Sequence, residues 1–496
     1  MIAHDEIRRI GHLVVDLIAD HLTDIQDEPV FRPVPPDLAA HFLSAAAPAE
    51  AAAPDEILRD FRDHIEPYPF GNGHPRFWGW VNSPPAVMGI FADALAAAMN
   101  PSCAGGNHAA IYIERQVTRW LRDLIGFPET SMGLLVSGGS MATLTALAVA
   151  RHVRSGVDVR ADGLRRAPHA FAFYMSSEAH SCARKAIELL GFGSACIRPI
   201  PIGEDYGIDV SALDAAIARD RADGVRPIAV VATAGTTNTG AIDELSAIRD
   251  VCDRHDVWMH VDAAYGGPAI LADGYRDALK PIGRADSVAL DPHKWMFVPV
   301  EAGFVAVRDS DAMRDAFSLV PPYIRSAGSS TGVYGLPWFS EYGFQQTRGF
   351  RALKVWMTMK ELGTAGHKAA IEQNLSLARY LADQVRIAPD LELMAPPSLS
   401  IVCFRYVGAG RDRQGDPRAD GAEARRAAPG GEAALGDMNR WLLERLQLGG
   451  EAFLTSTELR GRYTLRACIV NYRSSRADVD RMLAAVRALG AGYQRR

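Results

Sequence analysis

Between about residue 85 and residue 310, short apolar runs alternate with longer stretches whose apolar residues recur at helical spacing. The short runs are Leu134–Val136, Ala170–Met175, Pro227–Thr233, Trp258–Asp262, Ser287–Leu290 and Phe304–Val307. None alternates strictly between apolar and polar, so each reads as a strand buried on both faces. Such strands, separated by helices, predict an α/β domain with a mostly parallel sheet. Ligands of such sheets bind outside the carboxyl ends of the strands.

Ahead of this region, Ile7, Ile10, Val14, Leu17, Ile18, Leu22 and Ile25 form one helical face over residues 5–25. Residues 29–37 hold four prolines and exclude a long helix there. A further helix is predicted around Pro54–His64. Behind the strands, residues 317–350 are rich in Gly, Ser, Pro and Tyr and predict a long functional loop. Helices are then expected at Phe350–Glu361, Ala369–Arg386, 435–447 and 476–489, with strands at 399–407 and 463–470. This is a smaller α+β domain. Residues 408–434 lack periodicity and are expected to be a disordered insertion. The chain therefore divides into an N-terminal helical segment, 1–84, a large domain, 85–360, and a small C-terminal domain, 361–496.

Composition narrows the function classes. The net charge of −6 is mild and gives no reason to expect a nucleic-acid or anionic-membrane partner. The six cysteines are scattered without C-x-x-C spacing, so they read as reduced thiols. The N-terminus is polar, and no run of about 18 apolar residues follows. The expectation is a soluble, cytoplasmic protein with no metal site.

The chemistry gathers at the strand ends. Trp258–Asp262 ends in an aspartate, and the next strand leads into Asp291-Pro292-His293-Lys294-Trp295. An Asp and a Lys at successive strand ends suit pyridoxal phosphate. The lysine can hold the cofactor as a Schiff base, and the aspartate can keep its pyridine nitrogen protonated. Ser137-Gly138-Gly139-Ser140 follows another strand and opens a helix, whose free N–H groups bind phosphate. Alone, that turn is commonly just a helix cap. The segment lacks the G-K-[ST] ending of a nucleotide-binding P-loop. His180 follows the Ala170–Met175 run, where an imidazole can stack on a cofactor ring. Thr233 ends the Pro227–Thr233 run, in Thr233-Ala234-Gly235-Thr236-Thr237, whose hydroxyls can serve a cofactor's phenolic oxygen, a carboxylate or a helix cap. Ala263 and Ala264, after Asp262, would let a ring lie flat.

With these segments the chain resembles the group II pyridoxal-phosphate-dependent amino-acid decarboxylases, from about residue 54 to 490. His74-Pro75-Arg76-Phe77-Trp78, Ser137–Thr143, Tyr174–His180, Val231–Thr237, His260–Tyr265 and Pro292–Trp295 carry the resemblance. It implies fold-type I architecture, like that of aspartate aminotransferase. It implies Lys294 as the Schiff-base lysine and Asp262 as the pyridine partner. His180 and Ala264 would lie on opposite faces of the ring, with Thr233 beside cofactor and substrate. Ser137, Gly138, Gly139, Ser140, Asp291 and His293 would serve the phosphate. The resemblance also implies a homodimer with the site at the subunit interface and the N-terminal helices on the partner.

Two departures bear on the chemistry. Asp291 stands where animal members usually carry Asn. The lid, 321–345, carries in decarboxylating members a Tyr that protonates the carbanion. In some relatives a Phe there accompanies oxidative aldehyde formation. A count without gaps back from Arg351-Ala352-Leu353-Lys354 puts Phe339 at that position, and a small gap puts Tyr334 there. Tyr334 is the expected lid acid. Trp78, Trp80 and Ser83 are expected to face substrate and hint at an aromatic side chain. The expected reaction is α-decarboxylation of an L-amino acid, an aromatic one favoured. The alternatives are aldehyde synthesis or a non-aromatic substrate. Arg466 is read as either a substrate-carboxylate ligand or a support of the small domain.

Overall fold

The computed structural model describes residues 2–71, 73–319, 332–408 and 431–493. The chain forms two compact units. The larger comprises Ser83–Leu375 and Ala395–Ile401, the smaller Met1–Asn82, Ser376–Met394 and Val402–Arg496. The N-terminal segment, expected to stand apart, thus clusters with the C-terminal part. The expected boundary at residue 360 falls inside one helical stretch, Arg351–Ile387, broken only where Gly363 takes φ 61°.

The smaller unit opens with α1 (His4–Asp24), α2 (Pro36–Ser44) and α3 (Pro54–Asp60). The apolar face read over residues 5–25 is α1. Pro36 lies in the first turn of α2, where its missing N–H breaks no helical bond. None of these three helices has a buried residue.

The larger unit begins with α4 (Val87–Met99) and α5 (Ala109–Leu124). It continues through β1 (Met132–Val136), α6 (Gly139–Arg154), β2 (Phe171–Ser176), α7 (Ser181–Leu189), β3 (Ile197–Ile200), β4 (Arg226–Thr233), β5 (Trp258–Asp262), β6 (Ser287–Leu290) and β7 (Gly303–Val307). These strands form one sheet in the order β1-β7-β6-β5-β4-β2-β3. Strands β2 to β6 pair in parallel, and β7 runs antiparallel to both its neighbours. The predicted mostly parallel sheet is present, with all six predicted strands and one more. That extra strand, β3, reads Ile-Arg-Pro-Ile and pairs only at the sheet edge. A proline and an arginine are tolerated there and hide the apolar signal.

Helix α6 packs across β4 to β7, and its buried face carries Gly139, four alanines, two threonines, Leu147 and Val149. Its N-terminus thereby comes to the carboxyl ends of the central strands.

In the smaller unit β8 (Leu391–Leu393), β9 (Ile401–Tyr406), β10 (Thr455–Leu459) and β11 (Arg462–Cys468) form a sheet in the order β10-β11-β9-β8. The helices Gly431–Leu448 and Arg476–Tyr493 pack around a core that includes Trp78, Phe404, Leu442, Leu465 and Val479. Of the expected insertion, 409–430 lie outside the described residues. Its last residues, 431–434, are helical, because they open Gly431–Leu448.

Candidate active site

A cavity of about 390 Å³ opens at the carboxyl ends of the central strands of the larger unit. The parallel register sets Thr233 of β4 beside Asp262 of β5, and Asp262 beside Ala289 of β6. The next turn then delivers Asp291 and Lys294 to the same edge. Ser137, Gly138, Gly139, Ser140, His180, Thr233, Asp262, Ala264, Asp291, His293 and Lys294 all line this one cavity. Eleven residues chosen from separate strand ends of the sequence therefore meet in space.

Each is held by its local structure. The first i to i−4 bond of α6 runs from the Ala142 N–H to the Gly138 carbonyl, at 2.9 Å, so the N–H groups of Gly139, Ser140 and Met141 precede the helical ladder. No side chain caps them. Gly139 has no room for a side chain: a Cβ there would lie 2.8 Å from Asp291 Oδ2 and 3.1 Å from the Ala264 Cβ.

His180 caps α7, its Nδ1 accepting the Cys182 N–H at 3.3 Å. The ring proton therefore sits on Nε2 when the imidazole is neutral. Burial holds the His180 pKa below its ordinary value, against the opposing pull of Asp262. Asp262 Oδ1 accepts the Ala264 N–H at 3.1 Å, which fixes the carboxylate over the turn. For Lys294, burial alone would push the ammonium down. Asp291 and then Asp262 outweigh it and hold it above its ordinary value. His293 Nδ1 stands 2.8 Å from the Ala302 carbonyl.

Two buried polar atoms in this wall have no hydrogen-bond partner among the described residues: Thr233 Oγ1 and Asp291 Oδ1. A cavity that presents a helix N-terminus, an unpartnered hydroxyl, a carboxylate and an amine fits a phosphorylated pyridine aldehyde. The helix end suits phosphate, Thr233 the ring hydroxyl, Asp262 the ring nitrogen and Lys294 the carbonyl carbon.

Residues 35–407 match the pyridoxal-dependent decarboxylase conserved domain. The chain belongs to that family. Its cofactor is pyridoxal 5′-phosphate. An aromatic-L-amino-acid decarboxylase of Bacillus atrophaeus is 34% identical over 487 residues, covering 98% of this chain and 95% of that one. A phenylacetaldehyde synthase of Arabidopsis thaliana is 28% identical, covering 94% and 92%. The crystal structure of Oryza sativa TDC with PLP and tryptamine superposes with a TM-score of 0.89 at 29% identity, covering 99% of each chain.

The substrate-facing expectations fare differently from the cofactor ones. Trp78 is 0% exposed and belongs to the core of the smaller unit, its indole N–H donating to Ser474 Oγ at 3.0 Å. It has no free face to offer a substrate. Trp80 takes φ 47°, is 42% exposed and stacks on Phe70 at 5.0 Å. Ser83 Oγ lies 3.4 Å from the His293 carbonyl. Tyr334 is exposed and stacks on Trp338. Phe339, the position the gapless count points to, is 1% exposed, with the guanidinium carbons of Arg115 and Arg348 at 4.9 Å and 5.1 Å from its ring centroid. Arg466 is buried and donates to the Trp80 carbonyl and Thr455 Oγ1, the structural alternative of its two readings.

Sequence reasoning missed the floor of the site. His260, two residues before Asp262 on the same face of β5, is fully buried. Trp258 Nε1 donates to Ser287 Oγ at 2.8 Å, leaving that hydroxyl free to donate to His260 Nδ1 at 2.9 Å. His260 Nε2 faces Thr143 Oγ1 of α6 at 3.4 Å. One imidazole thus joins the elements that carry Asp262, Lys294 and the phosphate cradle. The only sequence signal was its place in His260-Val261-Asp262.

Burial lowers the His260 pKa to about 4. The unfolded chain, with an ordinary histidine, takes up the proton first as pH falls below about 6.5. The group's stabilising preference for the neutral folded form is complete above that pH and is lost as pH falls toward 4. The linked loss amounts to about 3 kcal/mol across that window. Urea unfolding at pH 7.5 and pH 5 is expected to show a steeper stability loss for the wild type than for His260→Gln. Equal losses in both would refute the assignment.

Proposed function

We propose that this decarboxylase removes the α-carboxylate of aromatic L-amino acids and releases the amine. One observation carries the substrate class. Apart from Lys294, no Lys or Arg is found among the described residues lining the cavity, so none of those residues offers a further lysine or arginine charge to a side-chain carboxylate. The Bacillus relative supports the same reading. Trp80, with an exposed indole, and Ser83 are the sequence-derived candidates for substrate contact.

Bound pyridoxal phosphate supplies the electron sink for charge left at the α-carbon. The chain's own residues do the rest. Asp262 holds a proton at the ring nitrogen and stabilises the electron flow toward it. The α6 N-terminus, with Ser137 to Ser140 and His293, anchors the phosphate. His180 and Ala264 line the cavity and would lie on either side of the ring, an arrangement that would orient the substrate and exclude water. Thr233 offers its unpartnered hydroxyl beside them. Lys294 is the amine that would hold the cofactor between turnovers, and its side chain would be the group that releases the product amine.

A lid tyrosine returns a proton to the α-carbon. Tyr334 is the sequence-derived donor. The lid span holds two further tyrosines: Tyr342 is half-buried, and Tyr323 lies outside the described residues. The working unit is taken to be a homodimer, since α1 to α3 have no fully buried residue and leave Ile7, Val15, Phe42 and Ile57 exposed. No helix among the described residues is long and apolar enough to cross a membrane. The six free cysteines, all buried, support a reducing, cytoplasmic setting.

The test is a product assay. The cofactor-loaded protein is incubated in air with the twenty common L-amino acids, and products are identified by mass spectrometry. An aromatic amine is the expected product. Aldehyde with ammonia and peroxide would make the chain an aldehyde synthase instead. In the same assay the Phe variant of the true lid tyrosine, Tyr334 or Tyr323, is expected to slow amine release by about 10²-fold or more.

A further inference from the structure

Asp291 is ill suited to be a phosphate ligand. It follows β6, is 2% exposed, and its Oδ2 lies 2.9 Å from Lys294 Nζ. His293 Nε2 stands 4.0 Å from the same oxygen. The carboxylate packs against Gly139 in the first turn of α6, where the helix end favours negative charge. An ionised carboxylate has no hydrogen to donate to a phosphate oxygen, and like charges at short range repel.

We propose that Asp291 is the docking partner of the Lys294 amine whenever that amine is free of the cofactor, and so governs the pH at which the lysine attaches. This deepens the pyridoxal phosphate reading and rests on it. Held there, Nζ is an ammonium and cannot attack. Asp291 is also the base that releases it, taking one proton so that the amine can add to the aldehyde carbon. The C–N bond forms as the aldehyde oxygen leaves in water. Of the three ammonium hydrogens, two depart with that water, one of them by way of Asp291, and one stays on nitrogen. The same contact receives the amine each time a substrate displaces it.

Among the described residues the other charged and titratable groups near Lys294 include Tyr265, which lines the same cavity. Asp262 faces it from β5, His180 and Cys182 from α7, and His293 and Glu301 share the cavity wall. Burial pushes the Cys182 thiol up to about 12, so it is neutral at working pH. With Asp262 present in every variant, the change on altering Asp291 reports that residue alone.

The experiment follows cofactor capture by the cofactor-free full chain, by stopped-flow absorbance between pH 6 and 10. Wild type is compared with Asp291→Asn and with Asp291→Ser, the second variant guarding against misfolding of the first, and circular dichroism checks each. Pyridoxine 5′-phosphate, which has the ring and phosphate but no aldehyde, is bound in parallel. The expected result is a capture midpoint about one pH unit or more lower in both variants, with pyridoxine phosphate bound no more weakly than by wild type. An unmoved midpoint overturns the proposal, and an accompanying loss of pyridoxine phosphate affinity would make Asp291 a phosphate ligand after all. Wild-type protein that captured no cofactor would overturn the cofactor reading and this proposal with it.

Discussion

Lys294→Ala is expected to lower the rate of amine formation by about 10³-fold or more, while the protein still folds and still takes up pyridoxal phosphate. The lysine is the only amine lining the cavity among the described residues. Its loss leaves the phosphate cradle at the α6 N-terminus, Asp262, His180 and Thr233 in place, so the cofactor keeps its seat. What disappears is the covalent attachment that presents the cofactor in reactive form, and the nucleophile that expels the product. Asp291 would then be a buried carboxylate without its ammonium partner, so a modest loss of stability is expected alongside. Steady-state amine release, measured with cofactor in excess, decides the matter. Turnover within tenfold of wild type would place the chemistry on another residue.

Asp262→Asn is expected to lower kcat by about 10²- to 10³-fold. The amide can still accept the Ala264 N–H, so the turn after β5 keeps its shape. It cannot compel the ring nitrogen to carry a proton, and the electron sink weakens at the step that needs it. The substitution also removes a charge that opposes the lowering of the His180 pKa and helps hold the Lys294 proton. Activity should therefore fall with a changed pH profile, which a loss of folded protein would not produce. A kcat within fivefold of wild type across the profile would remove Asp262 from its role.

Much of this was readable from the chain. Strands buried on both faces, such as β4 and β5, announce themselves as continuous apolar runs, and the residue at which each run stops is the residue delivered to the site. Thr233 and Asp262 end their runs in this way, and Lys294 follows the end of β6 by one turn. An edge strand such as β3 carries no such run. Aromatic residues are the opposite case. Trp78, Trp80 and Phe339 are all large and apolar, and their chemistry does not say whether the ring meets a pocket, solvent or a core. Tertiary packing decides it: Ser474 and the small-unit core claim Trp78, and two arginines claim Phe339. The His260 network was hidden for a related reason. Its partners Thr143 and Ser287 lie far apart in the chain, and each is an ordinary polar residue until the sheet and α6 bring them together.

The three N-terminal helices have a consequence for how the protein survives. At nine and seven residues, α2 and α3 are shorter than a helix that holds itself together in water. Their order must come from the surface on which they lie, and neither helix has a fully buried residue among the described part of its own chain. If a second copy supplies it, the amount of protein present sets the fraction of chains whose first sixty residues are ordered. Dilution would then loosen this end of the molecule well before the sheet and its cavity feel anything.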